Sequence, residues 1–452
     1  MLAEAFKSNR HYASPLARIF TSALFLDEAY YMSGNPWAIA STALLARYAR
    51  GARVPLILMS ATIHESHIEW IKLKREEVVT ACLEGDGIGG RCDVEIDSGE
   101  FIEKASAIEW KTHKIREENV VSSAEELVKA GRRVLIGMRS IARAVNIYRG
   151  LREKGVEARI LHAGLTLGDR GRVLSVVETL LKSSDRAFAL VATPVINAGV
   201  DASFDSLIVE APDFTSIVQW SGRVCRDVDK PCEEPPEVFI VEHRSEEYVL
   251  KEVEKLSKIN PKISWRIPFS FGGAEGYGRL IDADAEKTEI KGVGREAMKL
   301  FDLFYPLFVR QEKITKYLLS EGSPARRSLL VQALIEGREG DADSGQILER
   351  MITLEAWEVE KCAKHVSVYI EVVEEAYDSE KRLGVRSGED VKELWEDIRK
   401  NLESPGRLYR SLVIAHMRKG SRRGVVAGGI LILKEVYREG EGLLCIQEGG
   451  EG

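Results

Sequence analysis

At 452 residues, 44% apolar and 30% charged, the chain is long enough for two or three domains and apolar enough to build proper cores. Its formal net charge of −7 and pI near 5.8 do not mark a bulk nucleic-acid binder, although a motor that tracks one strand needs only a local basic groove. No apolar stretch reaches membrane-spanning length, and the six cysteines (Cys82, Cys92, Cys225, Cys232, Cys362, Cys445) form no CxxC pair, which reads as a reduced, cytoplasmic chain with no membrane partner and no zinc site.

In chain order, ALFLDEA (23–29) is a short apolar run closed by acids, the pattern of a buried parallel strand. NPWAIASTALLARYARG (35–51) is helical, with an early proline, apolar residues at helical spacing and a glycine stop. PLILMSAT (55–62) is a second buried strand, and residues 78 to 96 read as a hairpin around a glycine-rich turn. From 122 to 245 strands and helices alternate: helix 122–131, strand 132–138, helix 140–155, strand 157–164, helix 169–184, strand 187–194, strand 206–212, helix 216–227 and strand 237–243. Beyond 246 the pattern turns to long charged helices, among them 295–319 and 353–377. A basic cluster (Arg407, Arg410, Arg418, Lys419, Arg422, Arg423) and a terminal hairpin follow. The expected division is 1–105, 106–245 and 246–452.

Four clusters carry chemistry. Asp27 and Glu28 end a strand, so both carboxylates project from the carboxyl edge of the sheet, where α/β proteins bind ligands. Asp27 there suits a magnesium ion and Glu28 the activation of a water. Ser60 and Thr62 end the next strand and can bond to that acidic pair. Thr193 ends the strand at 187–194 and suits a nucleic-acid phosphate, while Gly199 and Asp201 in the loop beyond it suit a nucleotide and its ribose. QWSGRVCRD (219–227) belongs to the expected helix, where Gln219, Gly222, Arg223 and Arg226 stand at i, i+3, i+4 and i+7 and hence on one face. Two arginines presented this way can offset charge developing on a transferring phosphoryl group. Gly85, Gly87 and Gly90 match G-x-G-x-x-G, but no helix follows, and a turn is the better reading.

The order of these motifs resembles that of superfamily-two helicases, in which two RecA-like domains clamp ATP. It is most similar to the helicase subunit of type I CRISPR interference in its archaeal stand-alone form, over residues 20 to 245; LHAGLTLGDRGRV (161–173), with His162 and Arg170, resembles that family's His…Asp-Arg segment. The resemblance implies a partial first RecA-like domain, a complete second one with parallel sheets flanked by helices, and a helix-rich carboxy-terminal accessory domain. It implies ATP and Mg2+ as cofactors. Asp27, Glu28 and Arg226 would be catalytic, with Asp27 on magnesium. Gly199, Asp201, Gln219 and Arg223 would bind nucleotide, Ser60 and Thr62 would couple the two ligands, and Thr193 would touch nucleic acid. The implied partners are single-stranded DNA, a CRISPR surveillance complex and a separate HD-type nuclease, since no His-Asp dipeptide occurs here.

Two positions depart from the family pattern, Tyr30 after the acidic triplet and Trp220 after Gln219. A larger departure is that no Gly-Lys-Thr/Ser phosphate loop occurs in the 452 residues. The expectation is an amino-terminally truncated motor, inactive in ATP hydrolysis without the missing portion, with three readings open: a split helicase half encoded separately, a truncated reading of a longer frame, or a degenerate remnant. Another superfamily-two DNA or RNA helicase and a non-catalytic nucleic-acid-binding or surveillance-complex-binding module stand as alternatives.

Overall fold

The computed structural model describes residues 22–27, 29, 36–60, 62, 68–69, 71, 78–83, 93–97, 100–183, 186–197, 202–211, 213–229, 232, 234–242, 251, 263–267, 275–287, 330–336, 349–362, 365–373, 383–386 and 426–447. Glu28, Gly199, Asp201, the glycine-rich turn, the expected helix at 295–319 and the basic cluster from Arg407 to Arg423 lie outside them.

Strand β1 (Leu24–Leu26) pairs in parallel with β2 (Leu56–Leu58), and helix α1 (Pro36–Ala52) runs between them. Pro36 opens α1 at the position where a missing N–H costs nothing. Ile39, Ala40, Ala43 and Leu44 recur at helical spacing and are buried. The parallel pairing is as expected, but full burial of β1 is not observed, because Phe25 is 62% exposed. Among the described residues only β2 pairs with β1, and such short strands offer too little neighbouring surface to cover both faces. The hairpin reading of 78–96 is corrected as well: β3 (Ala81–Leu83) and β4 (Val94–Ile96) pair in parallel, whereas a tight hairpin joins antiparallel strands.

After α2 (Phe101–Ala107) comes β5 (Lys111–Arg116), then α3 (Val120–Lys129), β6 (Val134–Gly137), α4 (Ile141–Glu153), β7 (Ala158–Leu161), α5 (Leu167–Lys182), β8 (Ala189–Ala192), β9 (Ser206–Val209), α6 (Phe214–Ser221) and β10 (Glu237–Glu242). Six of these strands form one sheet in the order β5-β10-β9-β6-β8-β7, and β5 with β10, β10 with β9, β6 with β8 and β8 with β7 pair in parallel. Every residue of β6, β8 and β9 is buried, as a parallel sheet covered on both faces requires. Side chains fix the helix starts: Ser140 accepts from the Arg143 N–H, Thr166 from the Asp169 N–H and Asp213 from the Ser216 N–H. Sequence reading missed β5. Its KTHKIR run is mostly polar and buries Ile115 alone, the composition of a protected sheet edge rather than of a core strand.

Farther on, β11 (Ile263–Ser264) and β12 (Glu275–Gly276) pair in parallel ahead of α7 (Gly278–Lys287). The described carboxy-terminal residues are built largely of strands. β13 (Leu330–Ile335), β14 (Met351–Glu355), β15 (Val366–Val373), β16 (Leu383–Arg386) and β17 (Val426–Ile432) form a mixed sheet in the order β14-β13-β17-β15-β16, with α8 (Ala356–Lys361) after β14. A continuous helix over 353–377 is therefore corrected. VSVYIEVV is rich in β-branched residues, which fit a pleated surface better than a helix. A short hairpin, β18 (Tyr437–Arg438) and β19 (Gly442–Leu443), lies near the end of the described chain, where a terminal hairpin was expected.

The chain falls into two compact units, one of residues 1–119, 203–318 and 323–327, the other of 120–202, 319–322 and 328–452. Cys225–Cys232 and Cys362–Cys445 are disulfides and Cys82 is disulfide-bonded, which overturns the reading of reduced thiols. The partners stand 7 and 83 positions apart in sequence, yet folding brings their Cα atoms to 5.7 and 5.2 Å, a proximity that spacing does not reveal.

Candidate functional site

The first cluster lies at the carboxyl ends of β1 and β2. The Met59 N–H bonds to the Leu26 carbonyl and the Ala29 N–H to the Met59 carbonyl, each at 2.9 Å. These bonds set the Asp27 strand end beside the Ser60 strand end, as the motif order predicts. Asp27 is exposed there. The Thr62 N–H donates to Ser60 Oγ at 3.2 Å, and the two hydroxyl oxygens lie 3.3 Å apart with Thr62 buried. An exposed carboxylate at a sheet edge fits magnesium, which takes one or two protein carboxylates and fills its other positions with water and phosphate. Among the described residues no group of three or more His, Cys, Asp or Glu side chains could hold a metal by itself.

The second cluster follows α6. Its expected length, 216–227, is corrected: the helix ends at Ser221, with Gly222 as its cap. Gln219 stays on the helix, whereas Arg223 and Arg226 stand on the turn beyond it, so the three do not share one helical face. The physical reason is a competing pairing. Phe204 bridges Val224 in parallel, its N–H bonding to the Arg223 carbonyl at 2.8 Å and its carbonyl accepting the Cys225 N–H at 2.9 Å. Cys225 is thereby held at φ 43°, a left-handed conformation that a side chain disfavours. The Arg226 N–H bonds to Ser203 Oγ at 3.1 Å, and its side chain is exposed, while Arg223 is half-buried. Two residues distant in sequence complete the turn. Arg266 Nη1 donates to the Gly222 carbonyl at 3.2 Å, and Nη2 donates to the Arg226 carbonyl.

Thr193 follows β8, its N–H bonded to the Leu161 carbonyl at 3.1 Å, and it is 6% exposed.

The His162–Arg172 segment is a self-bonded knot seated against the terminal hairpin. His162 is buried and neutral. Its Nδ1 accepts the Gly164 N–H at 3.0 Å, so Nε2 carries the proton and donates to the Glu441 carbonyl at 3.1 Å. Burial pushes the imidazole down to about 4, with the Arg170 cation adding to the effect and the Glu441 bond opposing it. Arg170 donates to the carbonyls of Leu165 (3.0 Å) and Ala163 (2.6 Å). Tyr437 accepts the Thr166 N–H at 3.0 Å and donates to Asp169, which also pairs with Arg172. Arg149 pairs with Glu441. These bonds give His162, Asp169 and Arg170 a positional role. Sequence reading named the segment but not Tyr437 or Glu441; the one local signal for them is the glycine pair at 440 and 442, both at positive φ.

Comparisons place these features in a family context. Residues 130–229 match the family model described as CRISPR-associated nuclease/helicase Cas3, C-terminal. A curated relative, the putative CRISPR-associated nuclease/helicase Cas3 of Methanocaldococcus jannaschii, is 25% identical over 215 residues, or 47% of this chain and 28% of that protein. Among solved structures, T. fusca Cas3 with ADP superposes with a TM-score of 0.54 at 17% identity, over 78% of this chain and 49% of that chain. The AMPPNP form of the same protein gives a TM-score of 0.52 at 17% identity over the same shares. The match thus spans about half of the T. fusca chain and 28% of the curated relative. At such identity the structural likeness speaks for the fold, an α/β arrangement with a parallel six-stranded sheet flanked by helices. Over these residues the chain is thus similar to Cas3 nuclease/helicases, and it shares its fold with part of the T. fusca Cas3 chain.

Proposed function

We propose that this chain is the motor portion of an ATP-dependent DNA helicase of CRISPR interference, which pulls single-stranded target DNA for a separate HD-type nuclease at a surveillance complex in the cytoplasm. The observation that carries this reading is the apposition of Asp27 with Ser60 and Thr62 at adjacent parallel strand ends. That arrangement sets a carboxylate suited to metal on the strand next to hydroxyls able to relay its state. The likeness of residues 130–229 to the Cas3 carboxy-terminal model supports it.

Bound magnesium-ATP would supply the phosphoryl group and offset part of its charge. Asp27 would then hold the metal, and Glu28 would orient the attacking water and take its proton. Arg226 offsets charge that develops on the phosphoryl oxygens, while Gln219 and Arg223 bind nucleotide together with Gly199 and Asp201. Thr193 meets a backbone phosphate of the strand. In this reading 1–105 and 106–245 are the two RecA-like portions, and 246–452 is the accessory portion.

The 452 residues contain no Gly-Lys-Thr/Ser, so the test supplies one. The chain is mixed with, or fused to, a polypeptide carrying a phosphate loop, and DNA-stimulated ATP hydrolysis is measured. Hydrolysis that depends on the added polypeptide and disappears in Glu28→Gln is the expected result. Hydrolysis indifferent to Glu28→Gln, or none under any supplementation, refutes the reading.

A further inference from the structure

We infer that Arg266 and Asp284 are positioning residues that clamp α6 at its two ends and so aim Gln219, Arg223 and Arg226. This rests on the nucleotide-sensing role proposed above for that segment. Both residues come from the stretch that follows the six-stranded sheet, outside every motif of the sequence reading.

The chemistry of the clamp matches the helix it holds. A helix presents unpaired N–H groups at its amino end and unpaired carbonyls at its carboxyl end, with partial positive and negative charge respectively. At the amino end of α6, Asp213 takes the Ser216 N–H at 2.7 Å. Asp284, from α7, takes the Thr215 N–H at 3.0 Å and lies 3.5 Å from the Thr215 hydroxyl. At the carboxyl end the guanidinium of Arg266 spans the turn, bonding the carbonyls of Gly222 and Arg226. An acid therefore holds the positive end and a base the negative end. The fork of one guanidinium also sets the separation between the first and last residues of the Gly222–Arg226 turn.

This is a costly way to gain stability alone. Burial lowers the basicity of Arg266, and its Nε is buried without a hydrogen-bond partner among the described residues. The Arg226 cation nearby lowers that basicity further, with Tyr277 opposing. Asp284 is likewise desolvated, its carboxyl pushed up to about 7 by burial against the opposing pull of the Thr215 and Phe214 N–H groups. Trp265, next to Arg266, anchors the clamp by donating from Nε1 to the Thr112 hydroxyl at 3.1 Å. A cation buried beside another cation, spent on two carbonyls of the turn that bears Arg223 and Arg226, points to alignment of that turn.

The test has two arms. In the first, hydrogen exchange is followed on the full chain without nucleotide. Arg266→Gln is expected to raise exchange in 222–226 by about tenfold or more while β6 and β8 stay protected. Asp284→Ala is expected to do the same in 214–217. Asp284→Asn, which keeps an acceptor oxygen, is expected to restore parental exchange. If Arg266→Gln does not fold, Arg266→Lys, which keeps the charge but not the fork, replaces it with a smaller rise in the same peptide. In the second arm, the chain supplemented with a phosphate-loop polypeptide is assayed for ATP hydrolysis. Misaimed groups cost about 10²-fold, so Arg266→Gln and Asp284→Ala should lower kcat by about that factor with KM little changed, and Asp284→Asn should recover it. Unchanged exchange at both ends of α6 overturns the clamp, as does raised exchange with parental kcat. A parent that hydrolyses no ATP when supplemented overturns the functional reading instead, and the exchange arm still decides the clamp.

Discussion

Replacing Gly442 by alanine separates two costs that the structure assigns to the terminal hairpin. Gly442 sits at φ +82°, and a Cβ there would come within 2.5 Å of the Gly164 carbonyl oxygen, 2.8 Å of His162 Cε1 and 2.9 Å of the Gly164 carbonyl carbon. Gly440 sits at φ +79° with nothing within 4 Å of its Cβ position. Gly440→Ala thus carries left-handed strain alone, about 1–2 kcal/mol. Gly442→Ala carries the same strain and a clash with backbone that cannot rotate away. To relieve it the hairpin must retreat, losing the Leu443 N–H bond to Gly164 and the His162 bond to Glu441. At about 1 kcal/mol per bond, the whole comes to about 3–4 kcal/mol. Thermal melting should drop by about 10 °C for Gly442→Ala and by about 4 °C for Gly440→Ala. Hydrogen exchange at 162–166 should rise only in Gly442→Ala. Equal melting shifts, with no change at 162–166, would show that the hairpin is not seated on the His162 loop.

His162 supplies a pH prediction. Its folded value lies at about 4 against 6.5 for the free group, so its contribution is complete above pH 6.5 and is lost as pH falls toward 4. The loss approaches about 3 kcal/mol, and His162→Gln should flatten acid melting curves over that window, whereas an unchanged slope refutes the assignment. In the phosphate-loop-supplemented enzyme, Arg226→Ala should lower turnover about 10³–10⁵-fold with nucleotide affinity much less affected; turnover at the parental level removes Arg226 from the mechanism. Arg226 is exposed, so that variant should melt like the parent. Single-stranded DNA binding, read by fluorescence anisotropy, should weaken with salt at a log–log slope of about −0.7 per phosphate neutralised. Binding that ignores salt, or none at low salt, argues against a phosphate-tracking groove.

Local pattern determined much of this protein. The alternation from Val120 to Glu242 was legible because parallel strands buried on both faces read as unbroken apolar runs. The Asp27, Ser60 and Thr193 strand ends were legible for the same reason, since a polar residue closing an apolar run marks the edge of a sheet. Tertiary structure alone decided what depends on partners distant in the chain. α6 stops at Ser221 because Phe204 competes for the backbone of the residues that follow. Val366–Val373 is a strand because β16 and β17 flank it. The cysteines pair because folding, not spacing, brings them together. His162 is neutral because Gly164 and Glu441 occupy its two nitrogens. Arg266 and Asp284 look like ordinary surface charges until their bonds to the ends of α6 are seen. Periodicity reports which face of an element is buried; it does not report which distant residue will supply the hydrogen bonds that end the element or hold its side chains in place.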